Sequence, residues 1–250
     1  MWSRAVVWDA WAQRLADAGL STEAVVLPWH AVGAPDTALH GIGLDDYVAA
    51  VLHRVRQCAT PPIMIGHSLG GLVVQRVAAQ TTLAAAVLVS TAAPAPILPL
   101  RLGTLPAVAR HFLPWRSWRR SFRLAQWEAD YLLFNALPRE DRPSARNDLD
   151  AESGKVMWEV AFGALNWTRS NRVDPAAVSC PMLALAGCRD RIIPVAVSRN
   201  IKKFYGNKLT YREYPQHAHW MLGEPQWQER VDEVIAWLTT VTPPVRARPT

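Results

Sequence analysis

The sequence predicts an α/β fold: a mostly parallel sheet with helices on both faces, interrupted by a helical cap insertion. Short apolar runs alternate with segments whose apolar residues recur at helical spacing, which is typical of strands and helices in a parallel sheet. One apolar run, at 63–65, leads through a glycine-flanked serine into such a helical segment. The chain has 250 residues, half of them hydrophobic, which suits one large domain.

The residues before that serine are predicted to form two helices and a strand. Apolar residues from Trp8 to Ala18 recur at helical spacing and end at Gly19, which predicts the first helix. Two acidic residues at 45–46 open the second helix. Between the helices, the apolar run at 24–27 stops at Pro28 and predicts a short buried strand.

The alternation continues after the serine, lapses and then resumes. Residues 84–89, 182–186 and 209–214 are predicted strands, and residues 195–205 and 226–240 are predicted helices. Between residues 94 and 174 the pattern is irregular and rich in tryptophan and phenylalanine. We therefore predict a core formed by residues 1–93 and 175–242, a cap inserted at 94–174, and a disordered basic tail at 243–250.

Ser68 is the candidate nucleophile. An apolar strand, the pentapeptide Gly66-His67-Ser68-Leu69-Gly70 and an amphipathic helix follow one another, which is the context of a nucleophile elbow. A serine at such a corner has a strained backbone, and we expect Gly66 and Gly70 to remove Cβ atoms that would clash there. The start of the helix also directs backbone amides toward the reacting oxygen.

A nucleophilic serine requires a base and an acid that orients the base. In open α/β sheets such groups meet at the carboxyl ends of the strands. The loop after the strand at 182–186 holds one acid, Asp190, and the loop after the last strand holds His217 and His219. Spacing leaves both histidines open as the base. Asp190 also has an alternative role as a cap for the helix that begins near Pro194.

The motifs at 66–71 and 187–194, and His219-Trp220 followed by Glu224-Pro225, resemble the α/β-hydrolase family in its esterase and lipase branch. The resemblance covers nearly the whole chain apart from the insertion, where the family carries a variable cap. It implies that Ser68 is the nucleophile, Asp190 the acid and His219 the base, with His217 as the rival base. It also implies that the Leu69 amide stabilises the oxyanion, and it implies no metal or organic cofactor.

The N-terminal region departs from the family pattern. Family members carry a strand ending in His-Gly before the first helix, and the loop after it provides the second oxyanion amide. The sequence given begins at Met1, about where that loop is already under way. We therefore expect the N-terminal strands of the family to be missing and Met1 to be the nearest candidate for the second amide. We also expect upstream coding sequence, if translated, to encode an apolar strand ending in His-Gly.

The predicted function is that of a serine hydrolase that cleaves a carboxylic ester or a related acyl compound through an acyl-enzyme on Ser68. Two alternatives stay open: a cofactor-free carbon-carbon bond hydrolase of the same fold, and a non-catalytic homologue that binds small molecules. A serine at this position argues against the epoxide hydrolases and dehalogenases of the fold, which use aspartate. The aromatic residues of the cap predict a small-molecule acyl substrate with an apolar moiety.

The net charge of +6 is unevenly distributed along the chain, because no acidic residue occurs between Asp46 and Glu128. Six arginines of the cap lie within or close to this stretch: Arg101, Arg110, Arg116, Arg119, Arg120 and Arg123. They form either a solvated face or a surface for an anionic substrate, an anionic carrier protein or a membrane. Nucleic acid is not expected, because no recognised binding motif is present.

Cysteine usage predicts a reducing compartment. Cys58, Cys180 and Cys188 are odd in number and lack the spacing of metal ligands, so we expect reduced, buried thiols. The sequence shows neither a signal-peptide pattern nor an apolar run long enough to span a membrane. The predicted location is therefore cytoplasmic.

Overall fold

A computed structural model describes residues 1–98, 111–112, 116–163 and 169–242. Its strands in chain order are β1 (Ile63–His67), β2 (Ala85–Val89), β3 (Ser121–Phe122), β4 (Glu152–Ser153), β5 (Met182–Gly187) and β6 (Leu209–Tyr214). Four of them form a parallel sheet in the order β1-β2-β5-β6. The carboxyl ends of these four strands therefore meet at one edge of the sheet.

Helices cover both faces of this sheet. Those with both ends in the described residues are α1 (Asp9–Asp17), α2 (Leu44–Arg56), α3 (Leu69–Ala78), α4 (Gln126–Leu132), α5 (Arg142–Asn147), α6 (Gly154–Ala161), α7 (Val195–Tyr205) and α8 (Trp227–Val241). Helices α2, α3 and α7 pack on one face, and α1 and α8 pack on the other. No helix in the described ranges is both long and apolar enough to cross a membrane.

The central strands are apolar on both sides because each face meets a layer of helices. In β2, Ala86 and Leu88 join the cluster with α2, α3 and α7, whereas Val87 and Val89 join the cluster with α1 and α8. All five residues of β2 are buried, as are all six of β5. Continuous apolar runs are expected for parallel strands covered on both faces, and the α/β prediction is confirmed.

The predicted strand at 24–27 is wrong. Residues 24–27 adopt no regular structure, and Val25 and Val26 are 42% and 52% exposed. The elbow strand β1 lies at an edge of the sheet, and no described strand pairs with its outer side. An apolar run becomes a strand only where a neighbour completes its backbone hydrogen bonds, and this segment has no such neighbour among the residues described.

The described residues of the segment 94–174, the predicted insertion, form α4, α5, α6 and the antiparallel pair β3-β4. The strand pair was not predicted from the sequence. Hydrogen bonds attach this segment to the start of α2. The Leu44 amide donates to Glu159 Oε2 at 2.7 Å, and the Tyr47 hydroxyl donates to Glu152 Oε1 at 2.6 Å. A separate apolar cluster joins α4 and the residues after it to Trp220, so the insertion also packs against the loop between β6 and α8.

Candidate active site

Ser68 lies at the corner between β1 and α3 in a backbone conformation that is rare for a residue with a side chain. Its φ and ψ are 54° and −119°. The corner is fixed to the end of β2, because the Ser68 amide donates to Val89 O at 3.0 Å and the Ala92 amide donates to Ser68 O at 2.9 Å. A strained serine held between a strand and a helix has the geometry of a nucleophile elbow.

Close packing explains one of the two glycines that the sequence analysis singled out. A Cβ on Gly66 would lie 2.4 Å from Gly70 O, so this position excludes a side chain. A Cβ on Gly70 would meet nothing within 4 Å, and the prediction for Gly70 is wrong. The second glycine that packing requires is Gly71, where a Cβ would lie 2.3 Å from the Thr91 hydroxyl oxygen.

Asp190 and His219 meet at the carboxyl ends of the parallel strands. Asp190 follows β5, His219 follows β6, and Asp190 Oδ2 lies 2.7 Å from His219 Nδ1. The other carboxylate oxygen accepts the amides of Ile192 and Ile193, both at 2.8 Å. Asp190 does not cap α7, which begins at Val195 without a side-chain cap. Both partners are almost fully buried, so the hydrogen bond between them is shielded from water.

His67 links this pair to the elbow. Its ring centroid lies 4.9 Å from that of His219, and its Nε2 lies 2.7 Å from His219 O. Burial, with a smaller contribution from neighbouring His219, holds the pKa of His67 well below its ordinary value. A carbonyl only accepts, so the neutral His67 ring donates from Nε2. His219 is thereby held beside the residue that precedes Ser68.

The remaining ring nitrogen of His219 is available for proton transfer. His219 Nε2 is buried and makes no hydrogen bond to any residue in the described ranges, including Ser68. With Nδ1 bound to a carboxylate, a neutral imidazole presents a lone pair at Nε2, which is the state that a general base requires. In structures without substrate, such catalytic hydrogen bonds often form only once the substrate is bound.

The rival histidine has a carboxylate partner of its own. His217 Nδ1 lies 3.0 Å from Glu224 Oε2, and its ring packs edge-on against Tyr214 at 5.7 Å. Glu224 belongs to the motif that carries the family resemblance, but its pairing with His217 was not predicted from the sequence. The structure therefore brings Asp190 to His219 and assigns a different acid to His217.

The two candidate oxyanion donors lie on the same side of the sheet. Leu69 is the first residue of α3, where backbone amides have no acceptor within the helix. Met1 is partly buried and packs against the apolar cluster that contains Leu69. The roles of both residues in the oxyanion hole stay predictions.

Two further sequence predictions concern cysteines and metals. All three cysteines are free thiols, but Cys58 is exposed, so the expectation of buried thiols is wrong for this residue at the end of α2. Cys180 is buried and Cys188 is partly buried. No group of three or more His, Cys, Asp or Glu in the described ranges is arranged to hold a metal ion.

The arginines of the cap differ in their surroundings. Arg123 pairs with Asp36 at 2.7 Å and Asp150 at 2.9 Å. Three others are exposed and form no ion pair with any described residue: Arg116, Arg119 and Arg120. The predictions for Arg101 and Arg110 fall outside the described residues.

Comparison with known proteins identifies the family. A model of the alpha/beta hydrolase family matches residues 1–234. The chain belongs to the alpha/beta hydrolase family. The prediction of this family is thereby confirmed. In sequence, this alpha/beta hydrolase is similar to a monoacylglycerol lipase of Mycolicibacterium smegmatis, with 28% identity over 88 residues. That match spans 35% of this chain and 31% of the lipase.

Solved structures share the fold of this hydrolase over most of its length. A pyrethroid hydrolase from Sphingobium faniae superposes with a TM-score of 0.69 and 20% identity, covering 94% of this chain and 92% of that one. A monoacylglycerol lipase from Paleococcus ferrophilus gives a TM-score of 0.66 and 20% identity, with coverage of 97% and 92%. At this level of identity the likeness shows the fold alone.

Proposed function

We propose that this protein is a serine hydrolase that cleaves a carboxylic ester, or a related acyl compound, through an acyl-enzyme on Ser68. The observation that carries the proposal is the buried pair of Asp190 and His219, 2.7 Å apart, whose histidine contacts His67, the residue before the strained elbow serine. Membership of the alpha/beta hydrolase family supports the same chemistry. The names of the similar proteins, among them lipases and a methylesterase, favour an ester as the substrate class.

The proposed reaction has two steps on one set of residues. Ser68 Oγ attacks the substrate carbonyl while His219 Nε2 takes the hydroxyl proton, and Asp190 stabilises the imidazolium that forms. The amide of Leu69, with Met1 as the proposed second donor, stabilises the oxyanion. His219 then protonates the departing alkoxide. A water molecule attacks the acyl-enzyme by the same route in reverse, which releases the acid and regenerates Ser68.

The surroundings of His219 favour an apolar moiety in the substrate. Trp220 follows His219 and packs edge-on against Phe134 of the cap, with ring centroids 5.0 Å apart. Four further buried apolar residues of the cap belong to this cluster: Ala129, Leu132, Leu133 and Leu137. We infer that the substrate carries an apolar acyl or alkoxy chain that binds close to His219. No metal or organic cofactor takes part in the proposed reaction.

The test combines a covalent probe with a substrate series. We expect a fluorophosphonate to label the wild-type protein on Ser68 and the protein to hydrolyse p-nitrophenyl esters of graded chain length. Ser68→Ala should abolish labelling and lower kcat by about a million-fold, because the nucleophile is lost. Circular dichroism and the melting temperature show whether the variant remains folded.

The same experiment separates the two alternatives. A folded wild-type protein that does not label would overturn the proposal and favour a non-catalytic binding role. A protein that labels but hydrolyses no ester of the series would favour carbon-carbon bond hydrolysis. The cytoplasm is the proposed location, supported by the three free thiols.

We further propose that the unpaired cap arginines Arg116, Arg119 and Arg120 attract an anionic partner, which is an anionic substrate, a carrier protein or a membrane surface. Changing all three to Gln should lower turnover of an anionic ester several-fold and leave a neutral ester unaffected. The difference should fade with added salt, because exposed charges are screened. Arg56→Gln, on the exposed end of α2, is the control. An unchanged preference and a salt-independent rate would favour a solvated face.

A further inference from the structure

Glu224 is a buried carboxylate to which the proposed reaction gives no role. It lies in the loop between β6 and α8, which also carries His219, and only 1% of its surface is exposed. Its side chain accepts three hydrogen bonds from that loop. Oε2 accepts the Ala218 amide at 2.8 Å and His217 Nδ1 at 3.0 Å, and Oε1 accepts the Trp220 amide at 3.0 Å.

The two backbone amides that Glu224 binds are those of the residues immediately before and after His219. Fixing both of them fixes the backbone from which the His219 side chain projects. We propose that Glu224 is a positioning residue for His219, which holds the histidine backbone so that the imidazole meets Asp190. The expected effect of Glu224 on the rate rests on the proposed function. Its effect on the position of His219 can be measured without activity.

The chemistry of the contacts requires a carboxylate. All three partners of Glu224 are N–H donors, and an ionised carboxylate is the side chain that only accepts. Because Glu224 accepts from Nδ1, the neutral His217 ring carries its proton there. A glutamine at 224 would place an amide NH₂ against at least one of these donors and leave that donor unpaired, which is costly in a buried site.

Two other contacts hold the same segment but cannot replace Glu224. His67 donates to His219 O at 2.7 Å, on the peptide group that also carries the Trp220 amide, whereas Glu224 binds the Ala218 amide as well. Gly187, at the end of β5, allows close approach, because a Cβ there would lie 2.2 Å from Ala218 O. Both contacts lie between the loop after β6 and strands of the sheet. Within the described chain, Glu224 is the side chain that binds both amides flanking His219.

The test measures rate per active site rather than total activity. Glu224→Gln keeps the shape of the side chain but replaces one of its two acceptor oxygens with an NH₂ donor, and Glu224→Asp keeps the charge but withdraws the oxygens by one methylene. Glu229→Gln is the matched control, since Glu229 lies at the start of α8, is exposed and pairs with Arg230. Each protein is titrated with the fluorophosphonate, and kcat is expressed per labelled Ser68.

We expect Glu224→Gln to lower kcat per labelled site by about 10- to 100-fold, since misplacing a catalytic group by about 1 Å costs up to 10²-fold. KM should change little, because Glu224 does not contact the substrate. Glu224→Asp should fall between Glu224→Gln and the wild type, and Glu229→Gln should match the wild type. A purely structural role predicts fewer labelled sites, each with wild-type kcat, and that result would overturn the inference.

A second measurement reads the geometry directly and does not depend on turnover. The proton between His219 Nδ1 and Asp190 should give a far-downfield proton NMR resonance in the wild type, identified by its absence in His219→Gln. We expect this resonance to broaden or move upfield in Glu224→Gln and to persist in Glu229→Gln. An unchanged resonance in folded Glu224→Gln or Glu224→Asp would overturn the inference, even if the wild type proved inactive and the proposed function failed.

Discussion

The loop after β6 carries two histidines, and each of them binds a buried carboxylate through Nδ1. The distance is 2.7 Å for His219 and Asp190 and 3.0 Å for His217 and Glu224. In both histidines Nε2 is buried and has no hydrogen-bond partner within the described ranges. By these criteria alone the two pairs are equivalent.

What separates the two pairs is where the other contacts of each carboxylate go. Asp190 Oδ1 accepts two amides of its own loop. Its Oδ2 binds the histidine loop through the imidazole of His219. Glu224 binds two backbone amides of the histidine loop in addition to His217. One carboxylate orients a ring, and the other orients a backbone. A histidine paired with a carboxylate is therefore not by itself evidence of a catalytic base.

The strongest test of this comparison is to remove each histidine in turn. His219→Ala should lower kcat by about a million-fold, because a nucleophilic serine without its base loses nearly all of its advantage. His217→Ala should cost at most about a hundred-fold, through small displacement of the loop. The measurement is ester turnover by both folded variants over a range of pH.

The pH profile adds an internal check. Activity of the wild type should rise with pH as the base loses its proton, because only neutral imidazole accepts the serine proton. His217→Ala should keep that profile. Equal losses for the two variants, or a larger loss for His217→Ala, would reverse the assignment and make Glu224 the orienting acid.

The sequence predicts the periodic parts of the fold well. The predicted bounds 195–205 and 209–214 coincide with α7 and β6, because each is a strongly patterned run between clear turn signals. The run at 24–27 has the same local composition as a strand, but strand formation depends on a distant neighbour that composition does not reveal. Strands β3 and β4 have two residues each and are too short to show any period.

The candidate site also has features that the sequence predicts and features that it does not. The order of Ser68, Asp190 and His219 along the chain follows from the predicted strand ends, and the structure brings Asp190 and His219 together as expected. The three hydrogen bonds of Glu224 depend on how the loop folds back on itself, and no local pattern encodes that path. The error at Gly70 has a similar origin: the glycine that excludes a side chain is Gly71, because a Cβ there would meet Thr91, which follows the neighbouring strand β2.

The smallest expected effect concerns His67, which contacts His219. Burial holds the pKa of His67 well below its ordinary value in the folded protein, so the unfolded chain takes up a proton first as the pH falls. Stability is therefore intact above the ordinary histidine pKa of about 6.5 and decreases as the pH falls below it. The slope due to one such group is at most about 1.4 kcal/mol per pH unit.

His67→Gln tests this, since glutamine retains an N–H donor for His219 O but does not titrate. We expect the free energy of unfolding, measured by urea denaturation between pH 8 and pH 5.5, to fall less steeply in His67→Gln than in the wild type below pH 6.5. At pH 8 the free energies of unfolding of the two proteins should differ mainly because the two side chains pack differently. As the pH falls, the difference should shift in favour of His67→Gln. Parallel curves for the two proteins would show that His67 titrates alike in the folded and unfolded chains, and burial would then not hold its pKa below the ordinary value.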